Sequence, residues 1–257
     1  MSDTNMYICA HNNISTWHPS CDGYVIAAQH REINDKQLPV IYTDDEFTRS
    51  HNICYGELCQ QRYMMNHPEL LSDYIGFSHY RRYFRRFRNS LESVPDIIGK
   101  HGAVFSKTWS CGLPNKCCIA MYHSGIFIDP MRDAAYKACR GYGEAFDRFL
   151  ELQDCSCLNM YIMGKEDFLE NAGIVFSVLD SVDRHFGLCD NESTRAFMLE
   201  QYELGNWFKG NIEWQQRLQG FLGEYLWNVI KLYKFPNAKM YKVDIVADRD
   251  TEIKKFE

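Results

Sequence analysis

A chain of 257 residues with 46% hydrophobic and 14% aromatic residues has an ordinary globular composition and enough length to bury a sizeable core. Its formal net charge of −6 argues against a general nucleic-acid binder, whose phosphate contacts need a basic face. No run of about 18 apolar residues occurs, so a transmembrane helix is not expected; the nearest approach, Phe221 to Tyr233, is interrupted by Glu224, Asn228 and Lys231.

The first residues, Met1 to Asn5, are polar and carry no apolar leader. Eleven scattered cysteines, an odd number, suit reduced thiols in a cytoplasm better than a disulfide framework. Cys117-Cys118 and Cys155-x-Cys157 are the only close pairs, which is not the double pair that structural zinc usually takes. The expectation is a soluble cytoplasmic enzyme, with peripheral contact at the inner face of a membrane left open.

Met6 to Ala10 reads as a first strand, with His11 and Asn12 at its tip as either a ligand contact or a simple turn. Residues 14–38 read as a long loop around a short strand near Tyr24 to Ala28. Val40 to Tyr42 follows as a strand, and Asp44-Asp45 behind it could hold a metal or a ribose but more often would cap the next helix. Asn52 to Asn66 has helical spacing of Tyr55, Leu58, Cys59, Arg62, Tyr63 and Met65, and Pro68 ends it.

Tyr74 to Phe77 is a short apolar run with β propensity, and His79-Tyr80-Arg81-Arg82 comes directly behind it. In an open α/β sheet, ligands sit outside the carboxyl ends of strands. Guanidinium forks suit phosphate, and an imidazole can donate a hydrogen bond or move a proton. This placement points to an anionic small-molecule site. The competing reading is a solvated basic face, since Arg85, Arg86 and Arg88 continue the run.

Ser93 to Lys100 reads as a short helix capped by Ser93, and Ala103 to Phe105 as a strand. Residues 106–128 look irregular, a loop over a site that contains His123. Asp129 to Leu152 looks helical and split near Gly141 and Gly143, and Asn159 to Met163 reads as an apolar strand. Glu166 to Phe186 is the clearest helix, with one apolar stripe read as core. Residues 187–213 look polar and irregular with a short helix at 193–202; Trp214 to Tyr233 is the last long helix, and Lys239 to Val246 closes as a strand before a charged tail. Without repeats or Gly/Ser linkers, residues 1–257 are expected to form a single domain.

Gly-x-Gly-x-x-Gly, the Walker Gly-Lys-Ser/Thr and Gly-x-Ser-x-Gly are all missing. The sole Asp-x-Asp, Asp248-Arg249-Asp250, lies in the tail and reads better as solvated than as a metal site. Phosphate handling would then fall to Arg, His and Tyr side chains and helix N-termini.

Taken together, several blocks resemble a bacterial glycosyltransferase family found in capsular and surface-polysaccharide gene clusters and long catalogued as a domain of unknown function. Asp73 to Phe84 resembles its DYIGxxHYRRYF signature, and Asn52-x-x-Tyr55-x-Glu57-Leu58 its KNxxYCELT helix. Asn159 to Met163 resembles its NMFIM strand, and Gln216-Arg217-x-x-Gly220-Phe221-Leu222-x-Glu224 its QxRxxGFLxER helix. His11 and the pair Tyr122-His123 also match family positions, and the likeness spans roughly residues 6–245. Tyr225 and His51 depart from the family's Arg and Lys, and residues 12–50 are much altered.

The resemblance implies one α/β domain of the GT-A kind, with a mixed, mostly parallel sheet flanked by helices. It implies transfer of a sugar, of galactose or galactofuranose type in some relatives, from a nucleotide-sugar donor to a glycan or lipid-linked saccharide. His79, Arg81 and Arg82 would hold the diphosphate beside Tyr80, with His11 and Asn52 on the nucleotide. Glu57, His123 and Glu224 are candidates for the base, with His79 also catalytic, while Asn159 and Arg217 would orient sugar hydroxyls. No metal ligand is assigned; manganese or magnesium would lack a well-placed Asp-x-Asp. The rival readings are another phosphate-handling transferase (nucleotidyl- or phosphotransferase) and a non-catalytic carbohydrate-binding subunit.

Overall fold

The computed structural model describes residues 4–12, 19–33, 35–110, 112–204, 211–246 and 253–255. Strands β1 (Thr4–Ala10), β2 (Tyr24–Ala28), β3 (Val40–Tyr42) and β4 (Tyr74–His79) form the parallel half of a mixed sheet. After β5 (Arg82–Phe84) and β6 (Ala103–Ser106), β7 (Trp109–Ser110) and β8 (Asp154–Cys155) pair as a separate ribbon. Then β9 (Tyr161–Gly164) inserts antiparallel between β4 and β6, and β10 (Lys239–Tyr241) runs parallel to β6 on the far edge. The resulting order is β10-β6-β9-β4-β1-β2-β3, a mostly parallel sheet as expected.

The two-residue period of β1 divides its side chains between two cores. Tyr7 and Cys9 enter one, together with Ile75, Phe77, Phe105 and Tyr161; Met6, Ile8 and Ala10 enter the other, with Ile26, Val104 and Ile162. Burial on both faces is why these strands read as unbroken apolar runs. The first face is covered by α2 (Leu58–Asn66), α5 (Ile128–Ala138), α6 (Arg140–Glu151), α7 (Lys165–Phe186) and α10 (Leu218–Lys234). The second face is covered by α3 (Val94–His101) and the segment around Tyr83, Phe84 and Phe87.

Several boundaries differ from the sequence reading, each for a local reason. Of the helix expected over 52–66 only α2 is helical: residues 52–57 form a turn with Gly56 at φ 55, and a separate α1 (Glu46–His51), capped by Asp45 through a 2.7 Å bond to the Thr48 amide, precedes it. Residues 106–128 are more ordered than expected, holding β7, α4 (Asn115–His123) and a 3-10 turn at Gly125–Phe127. The break between α5 and α6 falls at extended Cys139, and not at the glycines. Gly141 and Gly143 instead let Tyr233 and Tyr136 pack where a Cβ would come within 2.6 and 2.4 Å.

Downstream, α8 (Asn191–Glu203) begins two residues before the expected 193 because Asp190 and Ser193 close a capping box ahead of it. The last long helix is split into α9 (Ile212–Gln215) and α10 at Gln216 and Arg217. The closing strand is also two, since β10 joins β6 whereas β11 (Val243–Val246) pairs with β5 and with β12 (Ile253–Lys255). Among the described residues nine cysteines are free thiols, but Cys118 is disulfide-bonded, against the expectation of reduced thiols throughout.

Candidate active site

Between β1 and β4 the chain reverses its direction of travel across the sheet, having gone outward to β2 and β3 and returned to the other side of β1. That reversal opens a crevice at the carboxyl ends of the two strands. Cys9 pairs with His79 there, and the Tyr80 amide donates to the Cys9 carbonyl at 3.1 Å. The exposed His11 ring meets buried Tyr80 edge-on at 4.6 Å, and the Arg81 guanidinium lies 4.8 Å over the same ring. Burial, and next the Arg217 charge, hold the His11 imidazole below its ordinary range.

Behind this rim stands a buried polar cluster. His79 donates its Nε2–H to the Leu158 carbonyl, and its Nδ1 receives the Arg82 Nη1–H at 3.3 Å. Burial pushes the imidazole down to about 4, with Glu57 opposing and Arg82 reinforcing the shift, so His79 is neutral at neutral pH. Burial would raise the Glu57 carboxyl, but the Arg217 guanidinium and the Asn159 amide oppose it and hold the group below the usual carboxylate range. The Asn159 Nδ2 donates to Glu57 Oε1 at 3.0 Å and to the Gly220 carbonyl at 2.9 Å; Arg217 Nη2 stands 3.6 Å from Glu57 Oε2.

Two backbone devices bring these groups together. Leu158 and Asn159 both take left-handed conformations, at φ 90 and φ 49, which are costly for side chains other than glycine. The kinked strap presents the Leu158 carbonyl to His79 and a Leu158 backbone hydrogen bond to Glu224, while Gln61 secures the Asn159 carbonyl at 2.9 Å. On the other side, the Gly220 amide donates to the Cys54 carbonyl at 3.0 Å. A Cβ at Gly220 would meet the Tyr55 carbonyl oxygen at 3.3 Å, and one at Gly223 would meet Leu58 at 2.4 Å. The two glycines seat α10 against the 52–57 turn, which sets Arg217 and Glu224 beside Glu57. Burial, then Cys157 and Glu57, push the Glu224 carboxyl well above its usual range.

Arg82 also faces outward. It lines a cavity of about 420 Å³ bounded by Ser106, Lys107, Trp109, Leu158 and Lys242 among others. The rest of the basic run is not simply solvated: Arg85 and Arg88 reach buried Asp244 on β11 at 2.7 and 3.2 Å, and Arg86 is exposed.

Of the residues singled out in the sequence, His11, Glu57, His79, Tyr80, Arg81, Arg82, Asn159, Arg217 and Glu224 converge on this region. Asn52 does not join them; its Oδ1 accepts from Asn191 Nδ2 at 2.9 Å at the start of α8. His123 is buried in an aromatic stack, 4.6 Å from Phe221 and 5.4 Å from Trp214, with Nδ1 3.2 Å from Gln215 Oε1. Asp248-Arg249-Asp250 lies outside the described residues. Among the described residues no group of three or more His, Cys, Asp or Glu side chains could hold a metal ion. The sequence reading missed Leu158, Lys107, Trp109 and Lys242. A leucine in a left-handed turn carries no motif, and lysines scattered over 135 positions converge only through the β6–β10 pairing.

A family model described as "Domain of unknown function (DUF4422)" matches residues 5–234. Among solved structures, the apo structure of WbbM, a bifunctional glycosyltransferase, superposes with a TM-score of 0.65 at 19% identity. The likeness covers 95% of this chain and 45% of that one, so the chain spans less than half of that protein's length. No curated protein matches the sequence. No helix among the described residues is long and apolar enough to cross a membrane.

Proposed function

The chain belongs to the DUF4422 family, and from that premise we propose that it is a glycosyltransferase. In this reading it moves a sugar, of galactose or galactofuranose type, from a nucleotide-sugar donor to a glycan or lipid-linked saccharide of a bacterial surface polysaccharide. The observation that carries the proposal is the position of Arg82. Its guanidinium is held by a buried neutral imidazole on one side and borders an open cavity on the other, next to the crevice between β1 and β4. The fold shared with a solved glycosyltransferase is consistent with that use of the crevice.

The nucleotide lies over the rim formed by His11, Tyr80 and Arg81, and the diphosphate is held by Arg81 and Arg82. Guanidiniums there stabilise the charge that develops as the bond from the sugar's anomeric carbon to the phosphate oxygen breaks. An acceptor hydroxyl forms the new bond to that carbon, its proton passes to a base, and the nucleoside diphosphate departs. Glu224 is the better base of the two carboxyls, because burial raises the proton affinity of its ionised carboxylate. Glu57 is committed to Asn159 and Arg217 and stays ionised, which makes it the anchor that orients both. His79 positions Arg82, and Asn159 and Arg217 face the transferred sugar.

The test is release of nucleoside diphosphate from a panel of nucleotide sugars, with and without manganese. Release that Arg82→Ala abolishes supports the proposal. A folded protein that binds and turns over none of the panel would refute it.

A further inference from the structure

We propose that the cavity between Arg82 and Trp109 is the acceptor subsite, and that it takes a saccharide carrying an oxyanion, a carboxylate or a phosphate. This inference rests on the glycosyltransferase reading above and adds the acceptor's chemical class to it.

Topology gives the first argument. His11 and Arg81 follow β1 and β4, whereas the cavity is built from the end of β6, the start of the β7 ribbon and the link between β10 and β11. Those elements lie across β9, on the side of β4 away from β1. Arg82 is the residue shared by both regions, so a group held in the cavity sits beside the proposed diphosphate and does not replace it.

Charge gives the second. Arg82, Lys107 and Lys242 all line the cavity, and among the described residues no carboxylate does, on a chain whose formal net charge is −6. Lys107 and Lys242 are exposed, and neither forms an ion pair with a described residue. Three like charges around one concavity repel each other, and an oxyanion relieves that repulsion. Two further polar walls, Thr108 and Ser110, provide hydroxyls at a scale suited to sugar hydroxyls.

An aromatic rim gives the third. Trp109 is 54% exposed at the cavity edge on a two-residue strand, although indole is among the larger apolar surfaces a chain can bury. A flat indole beside hydroxyls and cations fits the C–H face of a sugar ring whose substituent is anionic. Leu158, also in the wall, is the residue whose backbone hydrogen-bonds Glu224, so one residue separates the cavity from the proposed base.

The experiment titrates galacturonic acid, galactose 6-phosphate, galactose and inorganic phosphate by calorimetry, in parallel with uridine and guanosine diphosphates. The expected result is that at least one charged sugar binds about tenfold more tightly than galactose, and that Lys107→Gln with Lys242→Gln removes that preference. Trp109→Ala weakens the charged sugar further without changing inorganic phosphate. Preference for galacturonic acid identifies a carboxylate, and preference for galactose 6-phosphate identifies a phosphate.

Galactose binding as tightly as both charged sugars would overturn the inference, as would inorganic phosphate matching them. So would competition between galactose 6-phosphate and the nucleoside diphosphates, because the cavity would then be the donor's phosphate site. Charged sugars that bind while no nucleoside diphosphate does would remove the glycosyltransferase reading and leave an oxyanion-saccharide site standing.

Discussion

The Nε2–H of His79 is donated to the Leu158 carbonyl although the Glu57 carboxylate stands only 3.5 Å from the same nitrogen. The proton is thereby fixed on Nε2, and Nδ1 is left as the acceptor that receives Arg82 at 3.3 Å. Replacing the imidazole with a ring of similar size and no nitrogen strands one buried carbonyl and releases the guanidinium. His79→Phe is expected to cost about 1–3 kcal/mol in urea unfolding, the range for a buried group that loses its partner. It should also weaken nucleoside diphosphate binding. His79→Phe with unchanged nucleotide affinity would show that Arg82 needs no positioning.

The two buried imidazoles make stability depend on pH. His79 and His123 are both pushed down to about 4 by burial, from an ordinary 6.5. Between those values the unfolded chain binds protons that the native chain does not, so stability present above 6.5 is lost as pH falls toward 4. Asp183 opposes this trend, since burial raises its carboxyl to about 6, and Glu224 opposes it too. A difference measurement isolates one imidazole. Phenylalanine fits the aromatic stack around His123, and wild type minus His123→Phe should shrink by up to about 3 kcal/mol between pH 7 and pH 4. A difference that is flat with pH would mean that His123 stays protonatable in the fold.

The two carboxyls of the cluster should separate kinetically. Glu224→Gln keeps shape and hydrogen bonds but removes the proton acceptor. It is expected to lower kcat by about 10²–10⁴ while leaving donor binding in place. Glu57→Gln instead leaves Arg217 without its counter-charge and alters the bond from Asn159, so KM and unfolding stability should move along with kcat. If Glu57→Gln gave the pure kcat effect and Glu224→Gln did not, the roles proposed for the two would be exchanged.

The parts of this arrangement legible in the sequence are those encoded locally. The β1 and β4 runs were visible because a strand buried on both faces is apolar throughout, and His79 to Arg82 stood out as polar residues directly behind one. Asp45 as a cap was legible because its partner is three residues away. What escaped depends on distant approach. Nothing at Leu158 foretells a left-handed backbone, because the conformation is imposed by Gln61, His79 and Glu224 contacts from three other segments. The break at Cys139, and not at Gly141, was hidden because the glycines are used for packing, Gly143 against Tyr136 on the preceding helix and Gly141 against Tyr233, far along the chain. Asn52 matched a family motif, yet its partner Asn191 lies on a helix whose register cannot be read from either end.

Cys157 reports on the cavity without substituting any residue proposed for catalysis. A hydrogen bond from Cys155 pulls its thiol below the ordinary range against burial, with Lys231 and Arg82 acting in the same direction. Cys9, Cys54 and Cys59 are buried, and burial pushes all of their thiols up. The thiolate is the reactive form, so iodoacetamide should label Cys157 before these three, as read by peptide mass spectrometry. Cys155→Ala removes the hydrogen-bond donor and is expected to slow labelling of Cys157 several-fold at neutral pH, with less effect at alkaline pH where the thiol ionises unaided. A charged sugar seated in the cavity should protect Cys157, one of its wall residues, while leaving exposed Cys189 reactive. Labelling of Cys157 that is as slow as that of Cys9 would mean the thiol is neither lowered nor open to the cavity.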